Sequence, residues 1–261
     1  MRATFRAELV KLLRARVLVL TGIVTAVFSI GGTAVVLATV GPHSNEQLPL
    51  TVAQLERAGG GTQAFRAAAS YAGWSFLFAV FVGYVAVEFG RGTMRTMLLR
   101  QPRRLRLLIG KLGAIFALTA TALAAGEILG WVTARLDAPS RHVGTSGWTS
   151  THALGAALSD YGILLTWAAG YLILATALAV LTRSLAIALG VGIAWFGPVE
   201  HILRDSWTST ERIFPGLSLE AFLARGTPDV SAGHAFVVVA LYGAVAAVIA
   251  AVTFTRWDVT A

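Results

Sequence analysis

No cysteine occurs in the 261 residues, so a disulfide framework, a thiolate metal site and a Cys nucleophile are all excluded. Charge is scarce as well. Charged residues make up 13% of the chain and hydrophobic ones 56%, against about a quarter charged in ordinary soluble domains. With a mean hydropathy of +0.71, the chain has too little polar surface to enclose its apolar residues in water. Lysine is nearly missing: Lys11 and Lys111 stand against 19 arginines. That bias in an alanine-rich chain points to a GC-rich bacterial genome.

Several catalytic devices are also lacking. There is no Gly-x-x-x-x-Gly-Lys-Ser/Thr phosphate loop, no His-Glu-x-x-His zinc helix and no Gly-x-Ser-x-Gly elbow. The five histidines, His43, His142, His152, His201 and His234, fall in polar segments or at the edge of an apolar run, which reads as surface placement rather than metal ligation. The chain is therefore expected to be no enzyme and to hold no cofactor or metal of its own.

What the chain does have is long apolar runs. Six are present, at 17–40, 71–89, 107–132, 161–182, 185–199 and 235–255, and most are long enough to cross a hydrocarbon core of about 30 Å as a helix. The first is too long for the roughly 7–15-residue apolar region of a signal peptide, so it is expected to be retained. The expected fold is an all-α membrane protein: an interfacial helix over 1–16, then a six-span domain over 17–261.

The net charge of +8 is topological rather than a nucleic-acid footprint. Lys and Arg number 14 on one set of alternate loops, with Arg2, Arg6, Lys11, Arg14 and Arg16 before the first run and seven more between the second and third. The opposite loops carry seven: Arg57, Arg66, Arg135, Arg141, Arg204, Arg212 and Arg225. By the positive-inside rule the first set faces the cytoplasm, with both termini inside, as in a bacterial inner (plasma) membrane. Trp74, Trp131 and Trp195 near the outer ends of their runs fit an interfacial aromatic belt.

Ahead of the first run, Phe5, Leu9, Leu12 and Leu13 recur at helical spacing while Glu8, Lys11 and Arg14 point elsewhere. This pattern predicts an amphipathic helix lying on anionic headgroups, or a simple positive flank. The fifth run is short and punctuated by Gly190, Gly192, Gly197 and Pro198, so it is expected to break before leaving the membrane. Apolar stubs around Ile202, Leu203, Ile213, Phe214 and Phe222 then suggest re-entrant helices between spans five and six.

The most informative stretch is 88–112, EFGRGTMRTMLLRQPRRLRLLIGKL. Gly90 and Gly92 break the second span, and Thr93 can cap a short helix whose Met94, Met97 and Leu98 form an apolar face. Pro102 suits the first turn of the next helix. Arg103, Arg104, Arg106 and Lys111 can snorkel to headgroups. Glu88, at the inner end of span two, is expected to pair with Arg91 or Arg95. Glu127 is the one acidic residue well inside an apolar run; it reads either as a substrate or gating group or as a hydrated carboxylate near the outer interface.

The placing of Glu88, Gly92, Thr93, Arg95, Leu98, Leu99, Pro102, Arg104 and Lys111 resembles the loop of permease subunits of type-2 ABC exporters. The plan of an interfacial helix followed by six spans is similar too. The resemblance implies that Glu88, Gly92, Thr93, Met94, Arg95, Met97, Leu98, Arg100 and Arg104 form a coupling loop that docks into a separate ATP-binding subunit. It further implies two such subunits carrying ATP and Mg, a second permease copy as dimer partner, membrane lipid around the assembly, and no nucleic acid. The cargo would be hydrophobic or amphipathic: a drug, peptide or lipid. The competing classes are a stand-alone secondary transporter, which calls for repeats and several buried ionisable groups, and an intramembrane hydrolase, which calls for paired catalytic groups at membrane depth.

Overall fold

The computed structural model describes residues 2–40, 50–90 and 103–256. These residues are almost wholly helical, and five helices are long and apolar enough to cross a membrane: Ala15–Thr39, Arg104–Arg141, Thr151–Thr182, Leu185–Ser206 and Ala232–Arg256. The pair Gly60–Tyr71 and Trp74–Gly90 passes the same test together. The architecture is that of an all-α, multi-pass membrane protein, as the six apolar runs predict.

We number the main helices α1 (Arg2–Leu12), α2 (Ala15–Thr39), α3 (Gly60–Ala68), α4 (Trp74–Gly90), α5 (Arg104–Asp137), α6 (Thr151–Thr182), α7 (Leu185–Ser206), α8 (Pro215–Leu223) and α9 (Ala232–Arg256). They form two compact units. The first comprises Met1–Arg14, Trp74–Leu118 and Trp167–Ala261; the second comprises Ala15–Gly73 and Thr119–Thr166.

In the first unit α6 and α7 are joined by only two residues. Arg183 turns in the left-handed region at φ 53°, and the Ser184 hydroxyl caps α7 by accepting from the Ile187 N–H. A small residue lets α7 meet α4 closely: a Cβ on Gly192 would lie 2.1 Å from the Phe78 ring. Ala177, Ala246 and Ala250 do the same where α6 meets α9, the usual way helices approach when no water drives them together. Between these helices runs a set of buried aromatics, with Trp167 edge-on to Tyr171 at 5.4 Å, and Phe196 edge-on to both Tyr171 at 6.0 Å and Phe78 at 5.4 Å.

The fifth span differs from expectation. Its helix does not stop at Val199 but continues to Ser206, with the irregularity confined to a π turn at Trp195–Val199, where Gly197 leaves helical geometry (φ −88°, ψ −105°) just before Pro198. Proline removes one helical hydrogen bond and crowds the preceding turn, and the glycine absorbs the distortion. The stubs beyond it are a 3-10 turn at Thr208–Arg212 and helix α8, which opens on Pro215.

In the second unit the core is formed by Val36, Leu37, Leu55, Ala64, Ala68, Ala134 and Trp148, among others. Trp148 donates its indole N–H to the Leu55 carbonyl at 2.8 Å, so the 138–150 segment is tied down rather than loose. Two π turns interrupt these helices, Val27–Gly31 within α2 and Ala69–Gly73 after α3.

The N-terminal helix also departs from its predicted face. It ends at Leu12, and its buried side is Thr4, Glu8 and Leu12, while Val10 and Leu13 are 69% and 51% exposed. The periodicity argument sends Glu8 outward because it is charged. The structure buries it because basic partners and a phenol await it.

Candidate functional site

In the first unit, four charges and one phenol converge where α1, the end of α4 and the start of α5 meet. α1 can lie close to α5 because residue 110 is glycine: a Cβ there would lie 2.9 Å from the Thr4 Cβ and 3.1 Å from the Phe5 nitrogen. One turn beyond that contact along α1, Glu8 meets Lys11, Nζ to Oε1 at 2.6 Å, and accepts from the Tyr84 hydroxyl at 2.8 Å. Lys111 lies 2.7 Å from Glu88 and 3.7 Å from Glu8, with its ammonium 3.8 Å from the centre of the Tyr84 ring. Lys11 reaches Glu88 at 3.9 Å.

The group holds two carboxylates and two ammoniums, a neutral set. Both lysines of the chain belong to it. The chemistry favours lysine at Lys111, because a compact ammonium can lie between two carboxylates and over a ring face, whereas a planar guanidinium is built for side-by-side pairing. Burial alone would raise the Glu8 carboxyl, but the Lys11 hydrogen bond, the Lys111 charge and the Tyr84 hydroxyl together hold it below the ordinary carboxylate range.

These positions correct one expectation. Lys111 does not snorkel to headgroups; it is 1% exposed, since neutralising partners surround it. Glu88 pairs with Lys111 and Lys11, whereas Arg91 and Arg95, along with Gly92, Thr93, Met94, Met97, Leu98 and Arg100, lie outside the described residues. Arg104 is described, and donates to the Thr255 carbonyl near the end of α9 at 3.0 Å. The pairings of Lys11 with Glu88 and of Lys111 with Glu8 are invisible in a helical wheel, because 77 and 103 residues separate the partners.

The second unit contains a buried ion pair that sequence reading misses. Arg66 Nε lies 2.8 Å from Asp160, and the Thr62 hydroxyl donates to the same carboxylate at 2.8 Å. Both charged residues read as parts of outer loops; both lie on helices and are 5% and 2% exposed. Charges of opposite sign so far apart in sequence offered no local pattern to recognise. Glu127 is 7% exposed, and its Oε1 has no hydrogen-bond partner among the described residues.

A fourth buried carboxylate, Glu200 in the first unit, is satisfied by backbone. It accepts from the N–H groups of Gly216 and Leu217 at 3.3 and 2.8 Å, at the start of α8. A side chain at 216 would collide with it, 2.5 Å from Oε2. The Pro215-Gly216 opening of a helix is the signal that could have found it. Of the histidines, His201 faces Glu220 at 3.3 Å, His234 bonds the Arg212 carbonyl, and His142 and His152 are exposed; His43 lies outside the described residues. Among the described residues no group of three or more His, Asp or Glu side chains could hold a metal ion.

Comparison with protein-family models, with curated proteins and with solved structures yields no match.

Proposed function

We propose that this chain is the membrane-spanning permease subunit of an ATP-driven exporter of the type-2 ABC kind, moving a hydrophobic or amphipathic substrate out of the cytoplasm while a separate subunit hydrolyses ATP. One observation carries this reading: the Glu8, Lys11, Glu88 and Lys111 network ties α1 to both helix ends that bracket residues 91–102. A loop whose two stems and neighbouring helix are clamped together moves them as one body when it is pushed. That is what a coupling element requires, and a passive positive-inside loop has no need of it.

In this reading two permease copies pair, each receives one ATPase at the 91–102 loop, and closure of the ATPases is passed through the clamp into α4 and α5. Met94, Met97 and Leu98 would fill a cleft on the ATPase, with Arg91, Arg95 and Arg100 pairing at its rim. The protein would lie in a bacterial inner membrane with both ends in the cytoplasm. The test is to isolate the chain from its native membrane and look for a co-purifying ATP-binding subunit. Substitution of Met94, Arg95 or Met97 should lose co-purification and ATP-driven efflux while the chain still inserts; unchanged capture and efflux would sink the proposal.

A secondary transporter is the second reading, and the buried Arg66, Asp160 and Glu127 favour it, since such carriers use intramembrane ionisable groups. Transport that persists without ATP and follows an ion gradient would select it.

A further inference from the structure

In the second unit the buried ionisable side chains among the described residues are Arg66, Asp160 and Glu127. Arg66 and Asp160 neutralise one another at 2.8 Å, and Thr62 satisfies a second carboxylate oxygen. Glu127 has no opposite charge paired with it among the described residues. It is more than nine-tenths buried, its Oε1 accepts no hydrogen bond among the described residues, and Asp160, of like charge, acts on it electrostatically. The other buried acids among the described residues have partners, Glu8 the two ammoniums and Glu200 two backbone N–H groups. An uncompensated carboxylate at this depth is costly and marks a place where something positive belongs.

The helix surface beside Glu127 has the matching chemistry. A Cβ on Gly126 would lie 2.8 Å from the Ser29 hydroxyl and 2.9 Å from the Phe65 ring, and one on Gly130 would lie 2.6 Å from Phe65. The ring and hydroxyl therefore press on the turn that carries the acid. Thr33, four residues from Ser29 along α2, is fully buried with an unpartnered hydroxyl oxygen. Ser29 itself lies in the π turn of α2, a distortion frequent at functional sites. Carboxylate, aromatic ring and hydroxyl oxygens together are the elements by which proteins recognise organic cations. A lone carboxylate does not hold a metal ion in the same way, since hard cations require several oxygen ligands.

We infer that Glu127, with Phe65 and Ser29 packed against the turn that carries it, binds the charged centre of a lipophilic organic cation. This rests on the transport reading only for its physiological purpose: it narrows the cargo from amphipathic molecules in general to cationic ones. The cation's charge balances the buried set of Arg66, Asp160 and Glu127, and its apolar groups replace lipid or side-chain contacts.

The experiment measures equilibrium binding to the purified full chain in nanodiscs of zwitterionic lipid, without the ATPase. Tetraphenylphosphonium and tetraphenylborate have the same shape and opposite charge. The wild type should bind the phosphonium saturably and at least tenfold more tightly than Glu127→Gln, and should show no such dependence for the borate. In the wild type, carbodiimide labelling of Glu127 should be blocked by the phosphonium and not by the borate, which keeps the test decisive if the variant does not fold. Equal phosphonium affinity in wild type and Glu127→Gln, or labelling that the phosphonium leaves unchanged, overturns the inference. Binding without ATP-driven transport would overturn the exporter reading alone, and ATP-driven transport indifferent to Glu127 would overturn this one alone.

Discussion

The Lys111 ammonium lies 2.7 Å from the Glu88 carboxylate and 3.8 Å from the centre of the Tyr84 ring, so one side chain on α5 holds two successive turns of α4. The contact joins the two helices that border residues 91–102 at their bases. Because the lysine side chain is 2% exposed and Glu88 16% exposed, removing one partner strands a buried charge, which typically costs about 3–5 kcal/mol. Lys111→Met should therefore lower the thermal unfolding midpoint markedly. Lys111→Met combined with Glu88→Gln should cost less than the two single changes added together. Strict additivity in that cycle would show that the pair is not coupled.

The attachment of α1 should depend on pH through Glu8. Its carboxyl is held below the ordinary value of 4.5 in the folded chain, so the folded state binds fewer protons there than the unfolded state does. Its stabilising share is complete above about pH 4.5 and is lost as pH falls through the lower, folded value. Amide exchange over residues 2–12 should stay slow at neutral pH and accelerate in acid, after correction for intrinsic exchange rates. Glu8→Gln should exchange faster at neutral pH and show a flatter acid response; an identical acid response in the variant would assign the effect to other groups.

Arg66 and Asp160 make the equivalent test in the second unit. At 5% and 3% side-chain exposure, Asp160→Asn and Arg66→Met should each destabilise by about 3 kcal/mol or more. The reversed pair, Arg66→Asp with Asp160→Arg, should recover part of that loss. Folding yields measured by size-exclusion of the solubilised protein would report it, and single variants as stable as wild type would mean the pair contributes no net energy.

Two glycines two residues apart on α7 should behave oppositely. A methyl group at 192 meets the Phe78 ring at 2.1 Å, whereas at 190 nothing lies within 4 Å. Phe78 cannot yield easily, being fully buried and packed edge-on to Phe196. Gly192→Ala should cost about 1–3 kcal/mol by overpacking, while Gly190→Ala should be neutral or stabilising by up to about 1 kcal/mol. Thermal midpoints of the two variants side by side check the contrast, and equal shifts would place α7 differently against α4.

Much of the architecture was legible in residues taken alone. Runs such as 161–182 and 235–255 are apolar over a length that suits a membrane-spanning helix, and the structure returns them within α6 and α9, whose helices begin at Thr151 and Ala232. The break in the fifth run could be placed from Gly197 and Pro198, because proline's missing donor acts through its own turn. Its consequence could not: whether the chain leaves the helix or resumes it, as it does to Ser206, depends on what packs beyond the kink.

The candidate sites divide the same way. Glu127 announced itself as the acid inside an apolar run, a one-dimensional fact. Glu8 and Lys111 did not, since hydropathy assigns every charge to a polar surface unless its partner is known. Their pairing, like that of Arg66 with Asp160, is a contact between helices distant in sequence and has no period to betray it. The sequence alone therefore determined that this chain is a bundle of apolar helices with basic segments collected on one set of loops. Only the tertiary structure decided which charges are buried, because the cost of burying a charge is set by the partner that meets it, and that partner comes from another helix.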